Sequence, residues 1–495
     1  MGRYPCRIAD LCLNDVMDPP YPFLQTFAMF RATALLSLLA VLPAAEESLD
    51  LRAATEAAFA KNRSFLDARS AVLRARLGVT VANANVFSPQ LKLGYQVRNA
   101  GDDTGDARAE LAMKSMGFNI TPYIRMGLDG EAGTTPAGNQ VPQTTSAVGL
   151  SISRALFNIS EHLAQRLPVD EAEQSLFSAA NTLIIRARQL ELSTARSFLA
   201  VQKAEARLAV RERRVADAEA FLKSVRDRVD HGFAAPLDGL NAEIDLNQAQ
   251  ADLNGERTSL ASARQELNDV LGRALQTEFQ LVAEDVGPAR ISALAAPPID
   301  DDVARMLSGN EDLGTQARAI DLAIQRLRVR RDQLAPQVVA TVSGESRTIA
   351  PAFSDGVRDE KVASLGLTWT MPLDGFQAAR ANALIAEDEL TAALRARDDR
   401  RAELERDLRN LHRQIVQARA AVTLGERRLE VERARLDATL RRYEAGLVDN
   451  LEVTRAKQSV DSAELGLLDG RIGVILLDAE YRSKLPVRPT LLGGP

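Results

Sequence analysis

A chain of 495 residues that is 26% charged and only 4% aromatic has material for several domains. Its alanine-, leucine-, arginine- and glutamate-rich balance suits long helices better than a compact mixed globule. The formal net charge of -6 is small for that length and gives no basis for a nucleic-acid partner.

Residues 1–28 carry no structural pattern and read as an N-terminal extension, with the true start expected at Met29. Residues 29–45 read as a secretory signal peptide: Arg31, an apolar run from Ala32 to Leu42, then the small residues Ala44 and Ala45. That run is too short to span a bilayer, and a short buried core helix is the competing reading. The cleavage site is imperfect, since Leu42 and Pro43 are not small. Both cysteines, Cys6 and Cys12, precede the run, so a cleaved chain would hold no thiol, disulfide or thiolate metal site.

The remainder reads as a tandem repeat. Residues 46–283 form the first copy, 284–299 a proline- and alanine-rich linker, 300–485 the second copy and 486–495 a tail. In the first copy, helical stretches run from Leu49 to Asn62 and from Phe65 to Phe87. Proline then forces its predecessor out of helical geometry, so "SPQLKLGYQV" opens a strand at Pro89. Residues 101–144 read as an enlarged outer loop or as further strand, and "TTSAVGLSISRALFN" (145–158) returns. The second copy repeats the order with helices over Asp300–Ser308 and Leu313–Leu334, a strand from Pro336 ("APQVVATVS") and a return in "KVASLGLTWTMPLDG" (361–375). The return strands align at a spacing of 217 residues. In them Val148, Leu150 and Ile152, like Leu365, Leu367 and Trp369, alternate with small or polar residues, which is the period of a strand with one apolar face.

A very long helix follows each return. From Glu161 to Arg228 the only proline is Pro168, near the start, where a kink is expected. Leu176, Ala180, Leu183, Ala187 and Leu190 step by alternating four and three, and Leu404, Leu408, Leu411 and Ile415 do so in the second copy. That is the 3.5-residue period of a coiled-coil seam, and at 1.5 Å per residue each helix would be roughly 100 Å long. Each long helix ends at a glycine and a shorter helix returns, over Pro236–Leu271 and Asn450–Tyr481. The two breaks, "DRVDHGFAAPLDGL" and "RRYEAGLVDNLEV", match from their glycines. Arg228, Gly232, Asp238 and Ala242 occupy the same offsets as Arg442, Gly446, Glu452 and Ala456, 214 residues on. They are read as the tips of two helical hairpins, with glycine supplying the turn. Asp238, Asp449 and Glu452 fall in first helical turns, where a carboxylate suits the dipole.

About four strands per chain cannot close a barrel alone, so the chain must pool strands with copies of itself. On "PQLKLGY", "PQVVATV", "LGLTWTMPLDG", "ELNDVLGR" and the two glycine breaks, the chain resembles the TolC-like outer-membrane efflux proteins over about residues 48–485. That resemblance implies a mostly α chain with a membrane β-barrel portion. The implied assembly is a homotrimer with a twelve-stranded barrel, continued by a long α-helical coiled-coil barrel. It also implies outer-membrane lipid around the barrel, a periplasmic adaptor and an inner-membrane transporter as partners, and export as the function. By position, the eight tip residues would face the adaptor. Glu452 and Arg455 would border the periplasmic aperture, either as a closing link between chains or as a solvated helix-start carboxylate with a local arginine.

No catalytic, cofactor or metal chemistry is expected. His162, His231 and His412 sit on separate elements with no partner at ligand spacing, and no phosphate loop or Ser-His-Asp grouping appears. A periplasmic adaptor normally has one hairpin per chain, and a coiled-coil scaffold would not need amphipathic strand pairs; these are the rival readings.

Overall fold

A computed structural model of the chain describes residues 48–99, 103–115, 117–134, 140–156, 161–232, 235–294, 298–351, 357–371 and 374–486. The extension and signal readings lie outside these residues, as do the tail after Pro486 and both cysteines; so does the side chain of His162.

The order begins with β1 (Ser48–Leu49), α1 (Leu51–Lys61) and α2 (Arg63–Phe87). Asp50 caps α1 through Ala53 N–H, and Asn62 caps α2 through Phe65 N–H, which places the break between the two helices. Four strands follow: β2 (Gln90–Asn99), β3 (Asp103–Ser115), β4 (Phe118–Thr134) and β5 (Gln140–Ala155). Then come α3 (Glu161–Asp230) and α4 (Pro236–Val270). The second half holds β6 (Gln280–Leu281), α5 (Pro288–Ala293), α6 (Ile299–Gly309), α7 (Glu311–Asp332), β7 (Gln337–Pro351), β8 (Arg358–Thr370), α8 (Gln377–Glu444) and α9 (Asn450–Lys484). The segment read as a linker therefore contains a six-residue helix. At 70 residues α3 is one helix that continues through Pro168, two turns from its start, with that one N–H missing from the ladder.

Six strands form one antiparallel sheet in the order β2-β3-β4-β5-β7-β8. This corrects the expectation of four strands per chain. Residues 101–144 supply two more strands, and β3 turns into β4 at the helical end of the sheet through Gly117, whose φ is 81°.

One sheet face is a continuous apolar band. Leu93 lies in register with Ala109, Ile124 and Val148 across β2 to β5, and Ile152, Val342 and Leu365 align across β5, β7 and β8. Among the described residues nothing covers it: Leu93 is 75% and Leu365 81% exposed. The band runs diagonally. Its centre on β2 is Leu93, in register with Lys361, whereas its centre on β8 is Leu367, six residues nearer the helices. At ~3.3 Å per residue and ~4.8 Å between strands, that drift over the width of the sheet tilts the strands by roughly 40° to the band. Membrane barrels tilt by that amount.

The helices pack by their seams. Leu404, Leu408, Leu411, Ile415, Val422 and Leu429 of α8 are buried, as the heptad reading required. The largest core joins α1, α3 and α4 around Phe198, Leu199, Val201, Leu267 and Leu271. Where α3 runs beside α9, ion pairs fix an antiparallel register: Arg196–Glu480 at 2.6 Å, Arg207–Asp469 at 2.6 Å and Arg213–Glu464 at 3.0 Å.

Candidate functional site at the hairpin tips

Both hairpins end in a glycine with positive φ, 74° at Gly232 and 72° at Gly446. Gly446 N–H donates to Tyr443 O at 3.0 Å and Leu447 N–H to Arg442 O at 2.9 Å, the paired bonds that close a helix end on a left-handed residue. The returning helices are capped differently. Asp238 Oδ2 accepts from its own helix start at Ala235 N–H, 3.1 Å away, while Asp449 Oδ1 accepts from Glu452 N–H at 3.0 Å. In the second hairpin the capping acid is Asp449, and the Glu452 carboxylate is left exposed.

The structure brings part of the predicted set together. The Arg228 guanidinium stands 4.8 Å over the Tyr443 ring, which itself packs on Phe221 at 5.7 Å. Asn450, buried at the start of α9, donates to Asp238 O at 2.8 Å and ties the second tip to the first. Ala242 and Ala456 are buried, their small side chains allowing the helices to approach closely; Ala242 packs with Leu222 and Val225. Arg442, Glu452 and Arg455 are exposed, and among the described residues Glu452 and Arg455 share no ion pair. Asn450, Phe221 and Lys457, whose ammonium stands 5.0 Å over the Phe221 ring, were missed from sequence. A polar residue at a first-turn position of a seam helix was the signal for Asn450.

Above the tip lies a buried charge cluster. Arg214 Nη2 meets Asp245 Oδ1 at 2.5 Å, Gln458 Nε2 reaches the same oxygen at 3.4 Å, and Asp461 Oδ2 stands 3.9 Å from Arg214 Nε. Burial pushes the Asp461 carboxyl up, opposed by Arg214 and Arg211, and burial pulls the Lys457 ammonium down. Three helices (α3, α4 and α9) thus share one desolvated network just above the turns. It joins the two hairpins. Among the described residues no His, Cys, Asp or Glu cluster could hold a metal ion, and no helix is long and apolar enough to cross a membrane.

The family model for outer membrane efflux proteins matches residues 54–273 and 303–472. The chain belongs to the outer membrane efflux protein family. A curated relative, the outer membrane efflux protein BepC of Brucella suis, is 20% identical over 405 residues, covering 81% of this chain and 84% of that protein. Among solved structures, the MtrE outer membrane channel of Neisseria gonorrhoeae is 18% identical with a TM-score of 0.61, covering 88% of each chain. The outer membrane protein VceC of Vibrio cholerae is 14% identical with a TM-score of 0.62, covering 87% of this chain and 95% of its own. At those identities the solved structures establish the fold. As an outer membrane efflux protein, the chain is an outer-membrane export channel with its helical portion in the periplasm, working with an inner-membrane transporter and an adaptor. It conducts and does not catalyse.

Proposed function

We propose that three copies of this efflux protein close one barrel and one helical tunnel, with β8 of each copy pairing with β2 of the next. The observation that carries this is the sheet itself. Among the described residues it has an apolar face with nothing over it and two unpaired edges, which a membrane does not tolerate. An even number of strands per chain keeps every junction antiparallel, so closure needs no irregular pair. With six strands per chain, three copies supply eighteen rather than the twelve expected from four. Uncovered stripes on the helices point the same way: Leu66, Leu73, Leu77 and Val81 of α2, and Val416, Leu424 and Val431 of α8, at coiled-coil spacing. The two halves, 46–283 and 300–485 joined by 284–299, are read as repeats that each give one hairpin to the tunnel.

The tips would meet the adaptor through Arg228, Gly232, Asp238, Ala242, Arg442, Gly446, Glu452 and Ala456, and three copies of Glu452 with Arg455 would ring the aperture. Support for the second is the exposure of both side chains and the absence of a local partner for either among the described residues. Outer-membrane fractionation followed by electron microscopy tests the assembly. A three-fold particle with a hollow stalk of roughly 100 Å is expected. A soluble solid rod would reject the channel. Replacing Glu452 and Arg455 together should raise planar-bilayer conductance, and an unchanged current would reject the closing link.

A further inference from the structure

The β3–β4 hairpin enters the sheet without disturbing its neighbours. Two strands fit between β2 and β5, so those two keep opposite directions. The register passes Leu93 through Ala109 and Ile124 to Val148, all on the apolar face, so removing the hairpin would leave Leu93 opposite Val148. Inward and outward parity would survive the excision.

What the hairpin adds lies on the other face. There β5, β7 and β8 present small polar residues such as Ser151, Thr341, Ser343 and Ser364, together with Glu345 and the paired Arg347 and Glu360. The hairpin presents Asp106, Arg108, Glu110, Lys114 and Arg125. These alternate with Ala107, Ala109 and Ile124, at the mid-height of the outer apolar band. Charges at that depth need water, which identifies their face as the pore wall. Four of them are fixed in two pairs: Arg125 Nε stands 2.9 Å from Asp106 Oδ1, and Arg108 pairs with Glu110 while lying 5.2 Å over the Tyr123 ring. Tyr123 then crosses β5 at Gly149, where a Cβ would stand 2.4 Å from the ring, and donates to Glu345 Oε2 of β7 at 2.6 Å. Glycine is required there because the ring occupies the space of a side chain.

We propose that the β3–β4 hairpin is a pore-widening module, clipped to the rest of the wall by Tyr123 over Gly149 to Glu345, that gives this channel a wide, ion-paired vestibule for large hydrophilic cargo. The proposal rests on the three-copy reading. With ~4.8 Å between strands tilted by ~40°, eighteen strands close at a backbone radius of about 18 Å and twelve at about 12 Å. Side chains take ~5 Å of each, leaving free radii of about 13 Å and about 7 Å. The long helices α3, α4, α8 and α9 of three copies, spaced at ~9.5 Å, form a ring of radius ~18 Å. The widened barrel therefore meets the helical ring at equal width, with no neck between them.

The experiment is cryo-electron microscopy of the full chain in nanodiscs beside a variant lacking residues 102–138. Six wall strands per chain in the parent and four in the variant, with the barrel radius falling by about a third, is the expected result. Four wall strands per chain in the parent, with the hairpin outside the wall, overturns the proposal whatever the symmetry. Six wall strands per chain in a particle without three-fold symmetry overturns the three-copy reading instead, and with it the stated width. If the shortened variant fails to assemble, S343C on the wall below the charged belt decides the matter, in a chain with Cys6 and Cys12 changed to Ser. Labelling from outside intact cells by a maleimide polymer of ~10 Å radius supports the wide vestibule, and exclusion of that polymer overturns it.

Discussion

Arg214→Met should loosen the end of the first hairpin more than any other single change to its charges. The guanidinium is 5% exposed and its partner Asp245 is 8% exposed, so neither ion has water to fall back on. The substitution leaves Asp245 accepting only from Gln458 at 3.4 Å, and leaves Asp461 with Arg211 alone of the two arginines that oppose its desolvation. Breaking a buried pair from one side typically costs ~3–5 kcal/mol, because the remaining charge stays buried. Replacing both ions by apolar groups of similar volume costs little, because both desolvation penalties vanish with the attraction. Arg214→Met with Asp245→Leu is therefore expected within ~1–2 kcal/mol of the parent. A glutamate-specific protease reads the difference without losing a cleavage site to the substitution. When opening is faster than cutting, cleavage of α3 and α4 tracks the open population, so the single variant should be cut at least about a hundredfold faster. A single variant cut less than about tenfold faster would refute the argument, as would a double variant cut as fast as the single one.

Three further outcomes follow from the same geometry. Gly272, with φ at 66°, would place a Cβ 2.6 Å from the Lys61 carbonyl oxygen, whereas Gly232 and Gly446 have nothing within 4 Å. G272A should therefore lower the apparent Tm well beyond G232A or G446A, each of which carries only a left-handed backbone cost of ~1 kcal/mol. Phe198→Ala empties a fully buried site where α3 meets α1 and α4, at a cost of ~3–5 kcal/mol by thermal unfolding. The raised Asp461 carboxyl contributes stability that is complete below its unfolded pKa near 3.9 and is lost as pH rises through the higher folded value. Asp461→Asn lacks that contribution, so its apparent Tm should gain on the parent from pH 3.5 towards neutrality; a pH-independent difference would contradict the assignment.

Much of this was legible because it is local. Period and punctuation along one stretch of chain placed α3 and α8, their returns and the glycine tips. The buried Leu404, Leu408, Leu411 and Ile415 are the residues that the heptad spacing selected. The tips were legible as positions and less so as contacts. Arg228 meets Tyr443 and Asp238 meets Asn450 only because two hairpins far apart in sequence lie side by side. Residues 103–134 were harder. Alternation is present there, in Ala107, Ala109, Leu111 and Met113 and again in Ile120, Ile124, Met126 and Leu128. Small residues, Pro122 and full charges on the opposite face gave it the composition of a loop.

The sequence by itself determined that this chain makes two coiled-coil hairpins, each following amphipathic strands. Those are consequences of side-chain period and turn chemistry, both of which act over a few residues at a time. Tertiary structure alone decided that the sheet has six strands. It also decided that the charges of β3 and β4 share one face of the sheet, and that Tyr123 crosses Gly149 to reach a carboxylate 222 residues away. Strand order and cross-strand register depend on which edges meet, and that choice is made by packing between segments whose separation no local pattern records.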